Sequence, residues 1–357
     1  MGKAKQKILI YSPYFSTFGG GERYLFQIAQ LLQKENQVYL IADKIIRKKA
    51  LSCFAINLRS VEFLDPAMFR SLNFFSRFFF IRQFDICFHM TNGSLFYPAS
   101  KKNYLIIQSP AHIPSAGPSR ALKINGWKII CYSSFMEKII RERINRQAIV
   151  LPPAVDLDLF KKDKTTKEKI ILSVGRFFSS PLHEKRQDFL LNFFIKNYEK
   201  YFQGWRLILC GNLTEPSGKK VLFKMKKKIN NFPVELKINL PFPALLSLYQ
   251  RSSVYWHAAG YGSDAIQKPE KMEHFGITTL EALAAGNVPL VFAAGGQTDI
   301  INNNVNGFLW NSEKDFRELN LQLLKNSSLM EKISKNAITS AADYSLNKFN
   351  KRLHDLI

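Results

Sequence analysis

The sequence predicts an α/β protein built from two tandem, doubly wound Rossmann-like domains that face a cleft. The chain has 357 residues, which exceeds a comfortable single core. Apolar strand-like runs alternate with helical patterns along the chain, as is typical of parallel sheets. A charged, apolar-poor segment, "KKDKTTKEK" at 161–169, separates two such series. We therefore expect an N-terminal domain over 1–160, a C-terminal domain over 161–340, and a helix over 341–357 that packs back on the first domain.

The first domain begins with a buried strand in "KILIYSPYF", followed by three glycines, a helix with apolar residues at helical spacing, and a second strand in "QVYLIAD". Four more apolar runs predict strands: "FDICFHM", "NYLIIQS", "WKIICYSS" and "AIVLPPAV". Strands that are joined through helices form parallel sheets, and such sheets bind ligands at the carboxyl ends of their strands.

The second domain repeats this alternation. We predict strands in "IILSVGRF", "WRLILCG", "VYWHAAG" and "VPLVFAAGG", with a first helix in "RQDFLLNFFIKNYEKYF". Further helices are predicted over 278–285 and 313–334, and the final stretch "YSLNKFNKRLHDLI" has the pattern of an amphipathic helix.

Composition limits the function classes. The net charge is +23, from 51 Lys and Arg against 28 Asp and Glu, and it is spread over both halves. This favours an anionic partner: nucleic acid, a phospholipid surface or a phosphorylated substrate. The chain has no recognised nucleic-acid motif, and a Lys-rich composition accounts for much of the charge, so we expect no nucleic-acid partner.

Cysteine usage and hydropathy suggest a reducing compartment. The four cysteines lie far apart without metal-ligand spacing, so we expect no metal and buried free thiols. No apolar run is long enough to span a bilayer, and the basic N-terminus has no small-residue cleavage site. We therefore expect a cytoplasmic protein, peripheral at most to the inner face of the cytoplasmic membrane.

Three stretches carry residues suited to chemistry. Gly19, Gly20 and Gly21 stand between a strand and a helix, where the backbone can approach a ligand and helix N–H groups can face an anion. A triple glycine is also compatible with a plain tight turn. Arg176 follows a strand and a glycine, and Lys185 precedes a helix; two cations at one sheet edge can clamp a diphosphate. Either cation could instead be solvated surface charge.

The stretch 272–296, "MEHFGITTLEALAAGNVPLVFAAGG", places Glu273 and Glu281 around Gly276. The glycine allows backbone N–H groups to turn toward a ligand, and the following helix directs its positive end at the same place. Gly286 suits the position just after that helix. Glu281 is expected in the first-turn region of the helix, while Glu273 lies on the loop before it. A helix with a favourable acidic first turn would show the same pattern.

These residues resemble the Glu-x7-Glu signature of the family 4 glycosyltransferases, retaining enzymes of the GT-B fold. "EHFGITTLEALAAG" carries both glutamates, the Phe-Gly pair and the closing Ala-Gly. "VPLVFAAGGQTDIINNNVNGFLW", "SVGRF…EKRQDFLL" and "FGGGERYLFQIAQLL" extend the likeness to both domains. The resemblance implies transfer of a hexosyl group from a nucleotide-diphosphate sugar, with GDP or UDP, to an acceptor hydroxyl. It implies no cofactor and no metal.

The resemblance also implies roles for individual residues. Glu281 would hold the ribose hydroxyls and Glu273 the donor sugar, while Arg176 and Lys185 would hold the diphosphate and stabilise the leaving group. The residues implied in catalysis are Arg176, Lys185 and Glu273. Those implied in donor binding are Gly19, Gly20, Gly21, Phe275, Gly276, Ile277, Thr278 and Glu281.

Two departures from the family pattern concern specificity. Many relatives carry a histidine near the donor sugar, where "YLIIQSP" places Gln108, with His112 four residues later. The long segment 259–272 resembles a subgroup that includes mannosyltransferases of oligosaccharide assembly. The implied acceptor is a saccharide or a lipid-linked saccharide, in synthesis of cell-envelope polysaccharide, glycolipid or lipid-linked oligosaccharide.

Other functions are compatible with parts of the pattern. A nucleotide-sugar epimerase on a related fold could contain a Glu-x7-Glu segment, and the charge alone would suit a basic nucleic-acid-binding protein. A two-carboxylate hydrolase is disfavoured, because Glu281 is assigned to the nucleotide.

The segment 69–82, "FRSLNFFSRFFFIR", holds more aromatics than one helix can bury, interspersed with arginines. A core helix whose arginines reach solvent would account for most of these phenylalanines. The aromatics left over should be exposed beside the basic residues, and they predict reversible, salt-sensitive association with an anionic membrane surface through the first domain.

Overall fold

The structure is a computed structural model in which residues 5–15, 17, 19–115, 117–161, 166–179, 184–213 and 215–357 are described. The chain forms two compact units. The first comprises the chain up to Ala154 together with Phe349–Ile357, and the second comprises Val155–Lys348.

The first unit is a seven-stranded sheet in which every paired strand runs parallel, in the order β3-β2-β1-β4-β5-β6-β7. Its strands are β1 (Lys7–Tyr11), β2 (Gln37–Ile41), β3 (Glu62–Leu64), β4 (Ile86–Met90), β5 (Lys102–Ile106), β6 (Lys128–Cys131) and β7 (Ala148–Val150). Its helices are α1 (Gly20–Leu32), α2 (Ile45–Phe54), α3 (Pro66–Ser71), α4 (Phe74–Arg82), α5 (Pro118–Ile124) and α6 (Ser134–Ile144), with a 3₁₀ turn at Pro110–His112.

The second unit is a six-stranded parallel sheet in the order β10-β9-β8-β11-β12-β13. Its strands are β8 (Glu168–Val174), β9 (Arg206–Gly211), β10 (Val234–Ile238), β11 (Ser252–His257), β12 (Val288–Phe292) and β13 (Phe308–Trp310). Its helices are α7 (Leu157–Phe160), α8 (Gln187–Asn197) with a π-helical turn at Tyr198–Phe202, α9 (Pro216–Lys226), α10 (Phe242–Arg251), α11 (Ile277–Ala284), α12 (Gln297–Ile300), α13 (Glu313–Leu324) and α14 (Ser327–Ala341). Short 3₁₀ turns lie at Pro269–Lys271 and Ala342–Tyr344, and the last helix of the chain is α15 (Leu346–Leu356).

Both sheets reverse strand order at their centre, between β1 and β4 in the first unit and between β8 and β11 in the second. The loops that leave the two central strands then turn to opposite sides of the sheet, which opens a crevice at the carboxyl ends of the strands. The central strands are almost completely buried because helices cover both faces. The expected α/β class with two doubly wound units is therefore confirmed.

Each unit has its own apolar core. In the second unit it is rich in aromatic rings, with Trp256 fully buried against Phe193, Phe202 and Phe316 at centroid distances of 5.6, 5.5 and 4.9 Å. The indole nitrogen of Trp256 donates to Asn320 Oδ1 at 3.0 Å, so this buried polar atom is satisfied. These contacts pack β11 into the core of the second unit.

The C-terminal helix α15 begins in the second unit and ends in the first. This agrees with the prediction of a C-terminal helix that packs back on the first domain. Phe349 packs edge-on against Tyr24 with ring centroids 5.5 Å apart, and Tyr104 Oη donates to the carbonyl of Leu356 at 2.5 Å. In the described part of the chain, no helix combines the length and the apolar character needed to cross a bilayer.

Several elements differ from the predictions. The strands β3, β10 and β13 were not predicted; they are edge strands of three to five residues, too short for a clear period. The helix predicted over 313–334 is two helices, because Asn326 interrupts it and its side chain caps the Leu329 N–H. Cys53 is exposed, contrary to the expectation of four buried thiols, whereas Cys87, Cys131 and Cys210 are buried.

Candidate functional site

The carboxyl ends of β8 and β11 bring together the residues predicted for the second domain. Gly175 and Arg176 directly follow β8, and His257 is the last residue of β11. The loop 272–276 then leads into α11 at Ile277. These segments meet beside the strand-order reversal, the position at which doubly wound sheets bind ligands.

Arg176 lies at the edge of this group. Its guanidinium is 3.8 Å from a carboxylate oxygen of Glu215 and stacks over the Phe178 ring, 4.9 Å from the centroid. About a third of its side chain is exposed. A partly exposed cation that is held by one distant carboxylate remains able to bind an anionic ligand.

Lys185 lies across Gly175 and reaches Glu273. A Cβ atom on Gly175 would stand 2.5 Å from Lys185 Cγ, so only glycine lets the lysine lie over the end of the strand. The Lys185 ammonium forms a hydrogen-bonded ion pair with Glu273 Oε2. The side chains are only 14% and 12% exposed, so the pair is weakly screened by solvent.

Glu273 has a second partner that was not predicted. His257 Nε2 lies 3.0 Å from the same Oε2 atom, and Gln297 Nε2 lies 3.2 Å from His257 Nδ1. Burial lowers the pKa of His257, against the opposite effect of Glu273. A histidine at the end of a central strand was the available signal, since "VYWHAAG" was predicted as a strand.

The loop between Glu273 and α11 is held by close backbone approach. Gly276 has φ +111°, a left-handed conformation that favours glycine, and a Cβ there would lie 2.8 Å from Gln297 Nε2. The Gly296 N–H donates to the carbonyl of Glu273 at 2.7 Å, and a Cβ on Gly295 would lie 2.2 Å from that carbonyl oxygen. The glycine pair therefore fixes the backbone of the residue whose carboxylate is bound by Lys185.

The helix α11 begins one residue earlier than predicted, at Ile277, and Gly286 follows its end with φ +70°. Glu281 lies in the second turn, not the first, because the helix starts at Ile277. Glu281 is only 3% exposed, and its carboxylate accepts a hydrogen bond from Tyr249 Oη at 2.9 Å. Burial, and then the Glu281 carboxylate, raise the pKa of Tyr249, so this phenol stays a donor.

The other predicted donor-binding residues lie at the end of the loop and in the first turn of α11. Phe275 is buried and its ring lies 5.8 Å from that of Tyr344, so its side chain belongs to the core. Ile277 and Thr278 are half-buried at the N-terminus of α11, and Thr278 Oγ1 accepts from Tyr255 Oη at 2.8 Å.

The three N-terminal glycines lie in the first unit, at the start of α1. The Gly19 N–H donates to Glu22 Oε2 at 2.7 Å, which caps the helix, and Gly20 is its first residue. Gly21 lies against Gln108, because a Cβ there would come 2.1 Å from Gln108 Oε1. The structure thus places Gln108 beside the glycine turn.

His112 occupies a different position in the same unit. Its ring stacks on Tyr14 with centroids 5.5 Å apart, and burial lowers its pKa. Its Nδ1 atom is buried without a hydrogen-bond partner among the described residues. Within the described ranges no group of three or more His, Cys, Asp or Glu side chains is arranged to hold a metal ion.

A family model described as "Glycosyl transferases group 1" matches residues 155–340, just over half of the 357 residues. The chain belongs to the group 1 glycosyltransferases. The matched range contains every candidate site residue of the second unit, from Arg176 to Glu281.

One curated relative is the human "GDP-Man:Man(3)GlcNAc(2)-PP-Dol alpha-1,2-mannosyltransferase", 26% identical over 215 residues, which are 56% of this chain and 41% of the human protein. The chain therefore spans less than half the length of that relative. Among solved structures, Anabaena HepE in complex with UDP and glucose superposes with a TM-score of 0.72 at 16% identity, covering 98% of this chain and 99% of that one. A glycosyltransferase from Rickettsia africae gives a TM-score of 0.74 at 17% identity, covering 99% and 97%. These similarities support the GT-B type of fold.

Proposed function

We propose that the protein transfers a glycosyl group from a nucleotide-diphosphate sugar to an acceptor hydroxyl. The observation that carries this proposal is the Lys185–Glu273 ion pair beside Arg176 and the N-terminus of α11. One small region thus offers cations for a diphosphate and a carboxylate for sugar hydroxyls. The family membership of the same residues supports the assignment.

The chemistry required of this region is stabilisation of a leaving group. The bond between the anomeric carbon and the diphosphate oxygen breaks, its electron pair leaves with the phosphate, and the acceptor oxygen forms the new bond while its proton is lost. Arg176, Lys185 and the N–H groups at the start of α11 supply positive potential where that charge develops. We therefore propose that no metal ion is required.

The two glutamates divide the donor between them in this proposal. Glu281, fixed by Tyr249, accepts from the ribose hydroxyls, and Glu273 accepts from hydroxyls of the transferred sugar. Glu281→Gln is expected to weaken binding of the nucleoside diphosphate by about 1.5–3 kcal/mol, the contribution of a hydrogen bond to a charged group. Glu273→Gln should mainly lower kcat, measured with the same donor. If only Glu273→Gln loses affinity for the nucleoside diphosphate, the roles of the two glutamates are the reverse of those proposed.

We assign the enzyme to family 4 and to the retaining class, from the Glu-x7-Glu stretch. Retention means that the anomeric configuration of the product equals that of the donor, which NMR of the reacted sugar measures directly. Activity should persist in EDTA. Inversion, or activity that is lost with chelator and restored by a divalent ion, would contradict this assignment.

The donor and acceptor are proposed from the relatives' names. The human relative's name contains GDP-mannose and a lipid-linked oligosaccharide, whereas HepE was crystallised with UDP. We propose a mannosyltransferase that uses GDP-mannose and a saccharide acceptor carried on a lipid, with the acceptor bound by the first unit. Release of nucleoside diphosphate from GDP-mannose and from UDP-sugars, with and without lipid-linked saccharide, is the test. No release from any donor would exclude transferase activity under these conditions.

A surface of the first unit supports the lipid-linked acceptor. Phe74, Phe75 and Phe79 on α4 are 54, 70 and 61% exposed, although phenylalanine is usually buried. Phe74 also lines a cavity of about 180 Å³ next to Lys123 of α5. The cavity is lined by Phe74, Arg77, Phe78, Leu95, Phe96, Tyr97 and Lys123. We propose that this aromatic and basic surface, here the α4 surface, rests on an anionic membrane.

Flotation with liposomes tests the α4 surface. Each phenylalanine that enters the membrane contributes roughly 1.5–3 kcal/mol, so Phe75→Ser with Phe79→Ser should reduce binding strongly. Ile45→Ser with Leu51→Ser is the matched control, because these side chains are 60 and 57% exposed on α2 of the same unit. Binding should require anionic lipid and weaken with salt. Equal losses in both double variants would show that the surface is not specific.

A further inference from the structure

Two of the groups that bind the Glu273 carboxylate differ in mobility. Lys185 is a long, flexible side chain that is 14% exposed, whereas the His257 side chain is only 2% exposed at the end of the central strand β11. In the proposed function Lys185 is also a ligand of the diphosphate. When it turns toward the phosphates, the imidazole can stay hydrogen-bonded to Oε2 and keep that atom in place.

The hydrogen-bond partners of the imidazole favour one protonation state. Glu273 Oε2 can only accept while the carboxylate is ionised, so His257 Nε2 carries the proton across the 3.0 Å contact. Gln297 Nε2 can only donate, so Nδ1, 3.2 Å away, carries the lone pair. The amide orientation matters here: if Gln297 presented its oxygen, Nδ1 would need a proton and the ring would be a buried cation near Lys185.

Gln297 is confined by packing, and its buried Oε1 atom has no hydrogen-bond partner among the described residues. It is fully buried at the start of α12 and lies against Gly276, where a Cβ would come within 2.8 Å of its nitrogen. The ring of His257 also stacks at 6.5 Å on that of Tyr255, which hydrogen-bonds Thr278 at the start of α11. The imidazole is therefore fixed from the strand, from α12 and from the loop that carries Glu273.

From this geometry we infer that His257 is a positioning residue for Glu273, and that Gln297 keeps it as the neutral tautomer with the proton on Nε2. The effect on turnover rests on the proposed function, whereas the tautomer of His257 does not. A neutral imidazole orients the carboxylate without neutralising its charge, so Glu273 stays an acceptor for sugar hydroxyls after Lys185 has moved.

The tautomer is measured on the protein without donor or acceptor. Long-range ¹⁵N–¹H spectra of histidine-labelled protein, assigned by comparison with His257→Gln, should show His257 protonated on Nε2 alone near neutral pH. Gln297→Glu should add the proton to Nδ1, because a carboxylate accepts from it. A wild-type imidazolium, a wild-type Nδ1–H tautomer, or an unchanged spectrum in Gln297→Glu would overturn the inference. This holds even if no transfer activity is found.

Kinetics with the accepted donor test the positioning role. His257→Leu should lower kcat on the order of 10- to 100-fold with little change in donor KM, because it removes one hydrogen bond to a charged group. His257→Gln can donate from the same place and should stay within about threefold of wild type. His89→Leu, a buried histidine of the first unit, is the control for a general loss of stability. Equal kcat in His257→Leu and wild type, or equal losses in the Leu and Gln variants, would contradict the role.

Discussion

The hydrogen bond between Tyr249 and Glu281 allows a quantitative prediction for the second unit. The Tyr249 hydroxyl donates to Glu281 Oε2 at 2.9 Å and also lies 3.3 Å from the Thr278 carbonyl oxygen. Both residues are almost fully buried, so water cannot replace the bond when it is removed. Tyr249→Phe deletes one oxygen atom and leaves Glu281 without this donor.

The expected cost follows from the charge on the acceptor. A hydrogen bond to a charged group contributes about 1.5–3 kcal/mol to the free energy of unfolding, against about 0.5–1.5 kcal/mol for a neutral one. Tyr255→Phe provides the matched control, since its buried hydroxyl donates at 2.8 Å to the neutral hydroxyl of Thr278. In a unit of this size, Tyr249→Phe should lower Tm by roughly 3–12 °C, and by more than Tyr255→Phe.

Guanidinium unfolding at pH 7, followed by tryptophan fluorescence and circular dichroism, measures the difference. Because the two units can unfold in separate transitions, the midpoint and slope are compared within the transition of the second unit. If Tyr249→Phe costs no more than Tyr255→Phe, the hydroxyl is not a donor to an ionised Glu281. The structural basis for the proposed orientation of Glu281 would then be lost.

Three further predictions concern other parts of the chain. Gly276→Ala should cost about 1–3 kcal/mol of unfolding free energy, measured by urea unfolding, because φ is +111° and the new Cβ meets Gln297; an unchanged midpoint would contradict this. Arg176→Ala should lower kcat on the order of 100-fold in steady-state assays, since its charge acts on the leaving group; an effect confined to KM would place it in ground-state binding only. Burial lowers the pKa of His89 to about 4, so the unfolded chain binds its proton first and stability falls as pH drops from about 6.5 to 4. Urea unfolding measures the free energy of unfolding at pH 7 and at pH 4.5. Between these pH values His89→Phe should lose about 2–3 kcal/mol less of this free energy than wild type, and equal losses would contradict the shifted pKa.

The sequence determined the central elements of the fold because local patterns carry them. The buried central strands are continuous apolar runs, such as "KILIY" and "VPLVF", and their positions follow from composition alone. The Glu-x7-Glu spacing, the glycines around it and the glycine that follows α11, Gly286, are local as well. Short edge strands such as β3 and β13 have three residues each and no period to detect.

The tertiary structure decided which side chains meet. Lys185 and Glu273 are 88 positions apart, and Gln297 lies 40 positions from His257, so no local pattern could pair them. Their contact depends on the order of strands in the sheet, which brings the end of β8 beside the end of β11. The exposure of Phe75 and Phe79 was likewise decided by how few side chains the sheet can accept from α4. Sequence periodicity describes one element at a time, whereas burial and pairing depend on what the remainder of the chain places against it.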